Sequence, residues 1–188
     1  MKKFFTIISF LTIIIPKCLT NILFSGSYWI NKSYENNIKT IQCFVKGWPL
    51  SDPVIKLNST DVIHFSFDEL SSQPRYYYYT IKHCNSDWQF SNLNDFEYID
   101  GYNYSTISNY KYSFNTTVNY IHYSLEIPNK EIKLKFSGNY LLIISETPDF
   151  KDIVIAQKFY IYEDLLNILS EIKQPGNAKM MKTHQKIN

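Results

Sequence analysis

The residues best able to do chemistry in this chain are its histidines and its clustered carboxylates. His64, His83 and His122 stand in separate β-like segments, and together they could supply the nitrogen ligands of a metal. Three separate, half-exposed strand histidines are the simpler interpretation, because no metal-binding spacing surrounds them. We therefore predict no metal site and no cofactor.

Acidic residues form two groups, Asp68-Glu69 and the series Asp95, Glu97, Asp100, that could suggest acid–base carboxylates or a calcium loop. Turn and loop-end roles explain them more simply, and Asp100-Gly101 is typical of a tight turn. The chain also lacks a phosphate-binding glycine loop, a nucleophile elbow and a zinc-protease helix motif. This pattern predicts that the protein is not an enzyme.

Two aromatic segments lie between the predicted strands. Residues 46–53 form a proline-bounded loop, and residues 84–102 form a long loop rich in aromatic side chains. Loops on a rigid scaffold often carry function, and aromatic anchors are favoured at interfaces. We predict partner contact through Trp48, Pro49, Trp88, Phe90, Phe96 and Tyr98. The alternative is structural, with Trp88 and its aromatic neighbours capping the end of the core.

β-Strands must position these loops, because apolar and polar residues alternate with a period of two along much of the chain. The pattern predicts strands over 61–67, 76–84, 120–127, 138–145 and 153–162, and weaker ones over 38–45 and 111–115. Turn residues separate the strands, so we predict an all-β fold: an antiparallel, immunoglobulin- or fibronectin-like β-sandwich of about seven strands over residues 38–162. The predicted core residues are Phe65, Phe67, Ile81, Tyr123, Leu125, Leu142, Ile155 and Phe159.

The two ends of the chain differ from this pattern. Residues 1–20 read as a secretory signal peptide, with Lys2 and Lys3 before a short apolar run. Cleavage before Asn21 and lipidation at Cys18 are alternatives that the sequence leaves open. Residues 21–165 form the predicted domain. Residues 166–188 read as a linker and the truncated start of a second β domain, and 163–172 is either a short helix or an irregular connection.

Composition and cysteine content further limit the binding partners and cross-links that can be expected. The formal net charge of +2 offers no electrostatic case for nucleic acid or an anionic membrane. Arg75 is the only arginine, so few bidentate carboxylate contacts are expected. Beyond the signal segment, Cys43 and Cys84 could form a disulfide in an exported protein, or they could be two small buried residues.

A series of short sequences across residues 38–162 resembles one known family, the first domain of the type IX secretion system plug protein. The similar stretches follow the family's order and spacing, and the most specific of them lie near the middle of the chain. They include Gly47-Trp48-Pro49-Leu50, Phe67-Asp68-Glu69-Leu70, Tyr78-Tyr79-Thr80-Ile81, His83-Cys84, Asp87-Trp88, Asp100-Gly101 and Ser137-Gly138-Asn139-Tyr140.

The resemblance implies a non-catalytic periplasmic protein of Bacteroidota-type bacteria, associated with the outer membrane. Its partner would be the translocon β-barrel, whose wide water-filled lumen needs a stopper at its periplasmic opening. Family members continue through at least one further β domain, so this chain is expected to be a fragment. The competing hypothesis is a carbohydrate- or ligand-binding β-sandwich module, with Trp48 and Trp88 as stacking platforms.

Overall fold

The computed structural model describes residues 32–166, 169–173, 175–176, 179–180 and 182–187, so the predicted signal segment and Cys18 lie outside it. Short turns join its strands, and one single-turn helix interrupts them. In chain order the elements are β1 Lys32–Ser33, β2 Ile38–Val45, β3 Val54–Lys56, β4 Ile63–Glu69, β5 Tyr78–Cys84, α1 Asp95–Tyr98, β6 Ile99–Gly101, β7 Tyr104–Thr106, β8 Tyr110–Tyr112, β9 Ile121–Ile127, β10 Ile132–Leu134, β11 Gly138–Ser145, β12 Ile153–Tyr162, β13 Ile172–Lys173 and β14 Lys186–Ile187.

Two sheets form the predicted sandwich. Sheet A has the order β1-β12-β11-β5-β7, and sheet B has the order β2-β4-β9-β8. Almost all pairs are antiparallel, and the exception is β3, which runs parallel to β12. The antiparallel β-sandwich is therefore confirmed, and each of the seven predicted strands is present. The additional strands have only two or three residues, too few for a periodic pattern to reveal.

The segment 163–172 is not a helix at its described positions. It leaves β12 without regular structure and ends in β13. Leu165, Leu166 and Leu169 are largely exposed there. A helix of about ten residues is marginal in water without a surface to pack against, which explains why its helical spacing alone does not make it fold.

The main core lies between the two sheets. On sheet B the register places Phe65 opposite Leu125 and Phe67 opposite Tyr123, all on the inner face. Each of the eight predicted core residues is at most 8% exposed. The two-residue alternation thus assigned the inner faces correctly, since successive side chains of a strand point to opposite faces.

A second apolar cluster covers the outer face of sheet A. Leu141 and Ile143 are buried there, beside Ala156 and Cys84, while the alternate residues of β11 point into the main core. Trp88 of the loop 85–94 packs over this outer face. Since β11 is buried on both sides, its sequence is a continuous apolar run rather than an alternation.

Arg75 joins the two sheets at one edge of the sandwich. Its guanidinium donates to the carboxylates of Glu69 on β4 and Glu146 after β11, and to Glu35 with an Nη2–Oε2 distance of 2.7 Å. Glu69 is almost fully buried and also accepts a hydrogen bond from the hydroxyl of Tyr123, at 3.1 Å. Arg75 therefore binds three carboxylates at once. Few such contacts were expected, because it is the only arginine in the chain.

Cys43 and Cys84 are both free thiols, so the proposed disulfide is absent. Cys43 on β2 packs against the main core between the sheets. Cys84 ends β5 and belongs to the cluster on the outer face of sheet A. The body of sheet A lies between the two side chains. The alternative of two small buried residues holds for Cys84, whereas Cys43 is only partly buried.

Candidate functional site

The histidines do not converge on one site. His64 and His122 lie on the outer face of sheet B, where their register partners are Glu126 and Asp68. His83 lies on the inner face of sheet A, with its ring 5.1 Å from that of Tyr140. Among the described residues, no group of three or more His, Cys, Asp or Glu side chains could hold a metal ion.

The clustered carboxylates have structural partners. Asp95 accepts hydrogen bonds from the Lys82 ammonium at 2.7 and 2.9 Å, and from the Tyr98 hydroxyl. Glu97 accepts a hydrogen bond from the backbone N–H of Asn94 at 2.6 Å, which caps the single turn of α1. These contacts support the turn and loop-end interpretation for Asp95 and Glu97.

The tight turn predicted at Asp100-Gly101 is wrong, because both residues lie in β6 and pair with β10. Asp68 and Glu69 are likewise strand residues, at the end of β4.

The two thiols are not activated nucleophiles. Burial raises the pKa of Cys43 to about 12 and that of Cys84 to about 11. Both therefore stay protonated at neutral pH, whereas a reactive cysteine needs a lowered pKa and access to solvent.

The loop 46–53 is held firmly by backbone contacts. The N–H of Trp48 donates to the carbonyl of Val45 at 2.8 Å, and the N–H of Ser51 donates to the carbonyl of Trp48 at 2.9 Å. The hydroxyl of Ser51 accepts from the N–H of Val45 at 2.9 Å. Gly47 has a φ of +93°, a conformation that favours glycine, so the turn needs this residue.

This firmly held loop presents apolar side chains to solvent. Trp48 is 73% exposed, Leu50 is fully exposed at 103%, and Pro49 between them is exposed as well. Trp48 also lines a cleft of about 390 Å³ together with Val54 and Tyr162. We call these five residues the Trp48 surface. Leu50 was missed from the sequence, although its place between two prolines outside any strand was a usable signal.

The other predicted contact residues are distributed differently. Trp88 and Phe90 are half-buried in the cluster on sheet A, where the Trp88 ring lies 5.3 Å from Tyr160 and the Lys158 ammonium is 4.2 Å from its centre. Phe96 is 70% exposed on α1, whereas Tyr98 is only 1% exposed. Tyr98 therefore belongs to the core and offers no surface to a partner. Trp88 covers a sheet face rather than capping the end of the core.

The described part of the chain contains no helix long and apolar enough to cross a membrane. A rigid apolar surface of the kind that Trp48 presents is suited to contact with another surface.

Comparisons with known proteins bear on this arrangement. The family model described as "Type 9 secretion system plug protein 1st domain" matches residues 38–163. The crystal structure of a hypothetical protein from Parabacteroides merdae ATCC 43184 is similar at 32% identity, with a TM-score of 0.71. The match covers 85% of this chain and 40% of that chain, so this chain spans less than half of its structural relative.

A second solved structure is the alkylpurine DNA glycosylase AlkC of Pseudomonas fluorescens, bound to DNA containing an abasic site analog. It is 11% identical with a TM-score of 0.30, over 66% of this chain and 30% of that one, which is too low to support any argument. No curated protein matches the chain. The family match, which includes the β-sandwich core and the loop that carries Trp48, is decisive: the chain belongs to the type IX secretion system plug protein family, and residues 38–163 are its first domain.

Proposed function

We propose that this protein acts in the periplasm as a non-catalytic plug, closing the periplasmic opening of the outer-membrane translocon barrel of the type IX secretion system. Family membership supports a role in type IX secretion at the cell envelope. A plug needs bulk, rigidity and a reversible contact surface, and it needs no active site. The sandwich has a well-filled core between two sheets, which meets the first two requirements.

One observation carries the proposal to particular residues: the Trp48 surface is both rigid and exposed. An aromatic side chain that becomes buried against a partner often contributes much of the binding free energy of an interface. Because backbone hydrogen bonds already hold the loop, little conformational entropy is lost when Trp48 is covered. Val54 and Tyr162 extend the apolar area beside it. We therefore assign barrel contact to this surface first.

The test is an affinity pull-down from solubilised outer membranes with the tagged chain, which asks whether the translocon barrel co-purifies. Trp48→Ala should weaken binding by about 2 kcal/mol, or about 30-fold in Kd. Its stability should stay within about 0.5 kcal/mol of the native chain, because Trp48 is 73% exposed. Phe114→Ala is the matched control, since Phe114 is 93% exposed but lies outside the Trp48 surface.

If the native chain does not retain the translocon barrel in the pull-down, the proposal that this chain plugs the barrel is wrong. If Trp48→Ala instead unfolds the domain as badly as Leu125→Ala, the loop is structural and the contact surface lies elsewhere.

The exposed indole of Trp48 beside Tyr162 also suits the alternative of a sugar-stacking module. A change in tryptophan fluorescence on adding oligosaccharides, lost in Trp48→Ala and retained in Phe114→Ala, would favour that alternative.

A further inference from the structure

The edge of sheet B formed by β8 is a surface that the proposed function does not use. β8, Tyr110–Tyr112, is the last strand of this sheet, and within the described residues no strand pairs with its outer side. It lies at the opposite edge from β2, whose end leads into the loop that carries Trp48. An exposed strand edge can accept an extended segment of another chain as an additional strand.

The backbone of β8 is oriented for such pairing. The carbonyl of Asn109 and the N–H of Ser113 form hydrogen bonds with residues in or next to β9, at 3.0 and 2.9 Å respectively. Hydrogen-bonding groups alternate between the two sides of an antiparallel strand. The N–H and carbonyl groups of Tyr110 and Tyr112 therefore point to the open edge, where an added strand could pair with them.

The two tyrosines of β8 extend the apolar inner face of the sandwich beyond its covered part. Tyr110 lies opposite Tyr123 and Tyr112 lies opposite Ile121, and both of these partners are fully buried. The rings of Tyr110 and Tyr123 are 5.9 Å apart. Tyr110 and Tyr112 themselves are 42% and 60% exposed. A strand added to β8 would place its own inward side chains beside these two rings and cover them.

The segment around β8 has the composition of an interface. Residues 102–121 contain a single charged side chain, Lys111, although 19% of the whole chain is charged. Interface cores are similarly depleted in charged residues and enriched in tyrosine. Because the low charge coincides with exposed aromatic side chains, this segment suits burial against another protein.

Lys111 indicates which kind of strand fits this edge. It lies on the outer face of sheet B opposite His122, which pairs in turn with Asp68 at an Nδ1–Oδ1 distance of 2.7 Å. None of the ion pairs among the described residues includes Lys111. If two copies of β8 paired along all three residues, their lysines would lie opposite each other, which is unfavourable. A carboxylate at that position would be attracted instead, so the charge favours a different chain over a second copy.

We propose that β8 is a docking edge for an extended segment of another protein, with an acidic residue opposite Lys111 and apolar residues opposite Tyr110 and Tyr112. The backbone groups of the tyrosines supply the hydrogen bonds, and their rings supply the apolar contact. Lys111 sets the register, because a shift by one residue would turn the acidic side chain to the inner face. This edge is separate from the Trp48 surface, so the assignment holds whether or not the protein plugs the barrel.

Amide nuclear magnetic resonance on the full chain, with a synthetic peptide at millimolar concentration, tests the proposal. The probe is the end-blocked peptide Thr-Thr-Thr-Val-Glu-Val-Thr-Thr-Thr, and the comparison peptide has lysine in place of glutamate. We expect saturable shifts and slower hydrogen exchange at the amides of Tyr110 and Tyr112. The glutamate peptide should bind about fivefold more tightly than the lysine peptide, the factor that corresponds to about 1 kcal/mol.

Reversal of the charge on β8 gives a sharper test. Lys111→Glu should invert the preference, so that the variant binds the lysine peptide more tightly than the glutamate peptide. Lys39→Glu is the matched control, because this exposed lysine lies on β2, at the opposite edge of the same sheet. It should leave the preference unchanged. Lys111 is itself exposed, so its variant should fold normally.

Three results would overturn the proposal. The first is the absence of saturable binding of the glutamate peptide to the native chain, or shifts centred on a different edge strand. The second is equal affinity of the native chain for the two peptides. The third is a concentration-dependent shift at Tyr110 and Tyr112 without any peptide, which would show that a second copy occupies the edge. All three are read from the native chain, so the test does not depend on the folding of a variant.

Discussion

Replacing Arg75 with alanine should destabilise the domain more than any other change to a charged residue. The guanidinium is the common partner of three carboxylates that come from separate parts of the chain, Glu35, Glu69 and Glu146. Without it, three negative groups would face one another at the edge between the two sheets. The Glu69 side chain is only 2% exposed, so water cannot replace the lost partner there.

The magnitude follows from the burial of each partner. Removing one member of a buried ion pair costs about 3–5 kcal/mol, because a charge is left without compensation. Arg75, however, is 33% exposed, and Glu35 and Glu146 are 31% and 36% exposed. Two of the three carboxylates can therefore regain water, and exposed pairs contribute about 0–1 kcal/mol each. We expect Arg75→Ala to lower the free energy of unfolding by about 2–4 kcal/mol.

The assay is urea unfolding followed by circular dichroism and tryptophan fluorescence, with unchanged dependence on denaturant as the sign of an intact two-state transition. Arg75→Lys should give an intermediate loss, because lysine keeps the charge but lacks the planar fork that reaches several carboxylates. Lys39→Ala is the control, since this lysine is exposed on β2 and its loss should change stability by less than about 0.5 kcal/mol.

A loss below about 1 kcal/mol for Arg75→Ala would refute the reasoning, because typical surface pairs contribute no more than that. Equal stability of Arg75→Lys and the native chain would refute the part assigned to guanidinium geometry. In the first case the three carboxylates would have to be stabilised by other donors, and in the second a positive charge at position 75 would be sufficient.

Three further outcomes are expected. Leu125→Ala should lower the free energy of unfolding by about 2–5 kcal/mol because Leu125 is 8% exposed, whereas Leu50→Ala should change it by less than about 0.5 kcal/mol; similar losses would disprove the core assignment. Burial lowers the pKa of His83, so the unfolded chain binds a proton there more readily than the folded chain. The free energy of unfolding should therefore fall as the pH drops below about 6.5 towards that lowered pKa. Urea titrations at several pH values should show a shallower fall for His83→Gln, and an equal slope for the two chains would contradict this. Cys84, which is buried, and Cys43, which is partly buried, should resist a thiol reagent in the native state and react after unfolding, because burial raises the pKa of both; rapid native labelling of Cys84 would contradict its burial.

The sequence by itself determined the strands longer than three residues and, for most of them, which face is buried. Ile121, Tyr123, Leu125 and Ile127 alternate with polar residues, and all four are buried. This succeeds because the period of a strand is a local property, written in neighbouring residues. The family followed in the same way, since the similar stretches keep their order along the chain.

Periodicity was less informative where burial is unusual. Residues 140–144 of β11 are all apolar because both faces of the strand are covered, so a two-residue period alone does not distinguish the side chains that point into the main core. The leucines of residues 163–171 have helical spacing, yet the described positions have no helix. The spacing of apolar residues indicates which face of a helix would be apolar, but a short helix is stable only when another surface covers that face.

Only the tertiary structure decided which aromatic residues are available to a partner. Trp48 and Trp88 both lie in loops, but the first projects into solvent and the second packs on sheet A. Phe96 and Tyr98 are two residues apart on α1, and only Phe96 is exposed. Each side chain of such a pair is covered or left open by residues that are distant in sequence.

The ion pairs of Arg75 could not be predicted from the sequence for the same reason, since their partners are distant along the chain. Arg75 binds Glu146 across 71 positions and Glu35 across 40, so no local spacing indicates either contact. Cys43 and Cys84 show the opposite case, because their plausible pairing is prevented by the sheet that lies between them. Alternation determines which way a side chain points, whereas the order and packing of the strands determine what it meets.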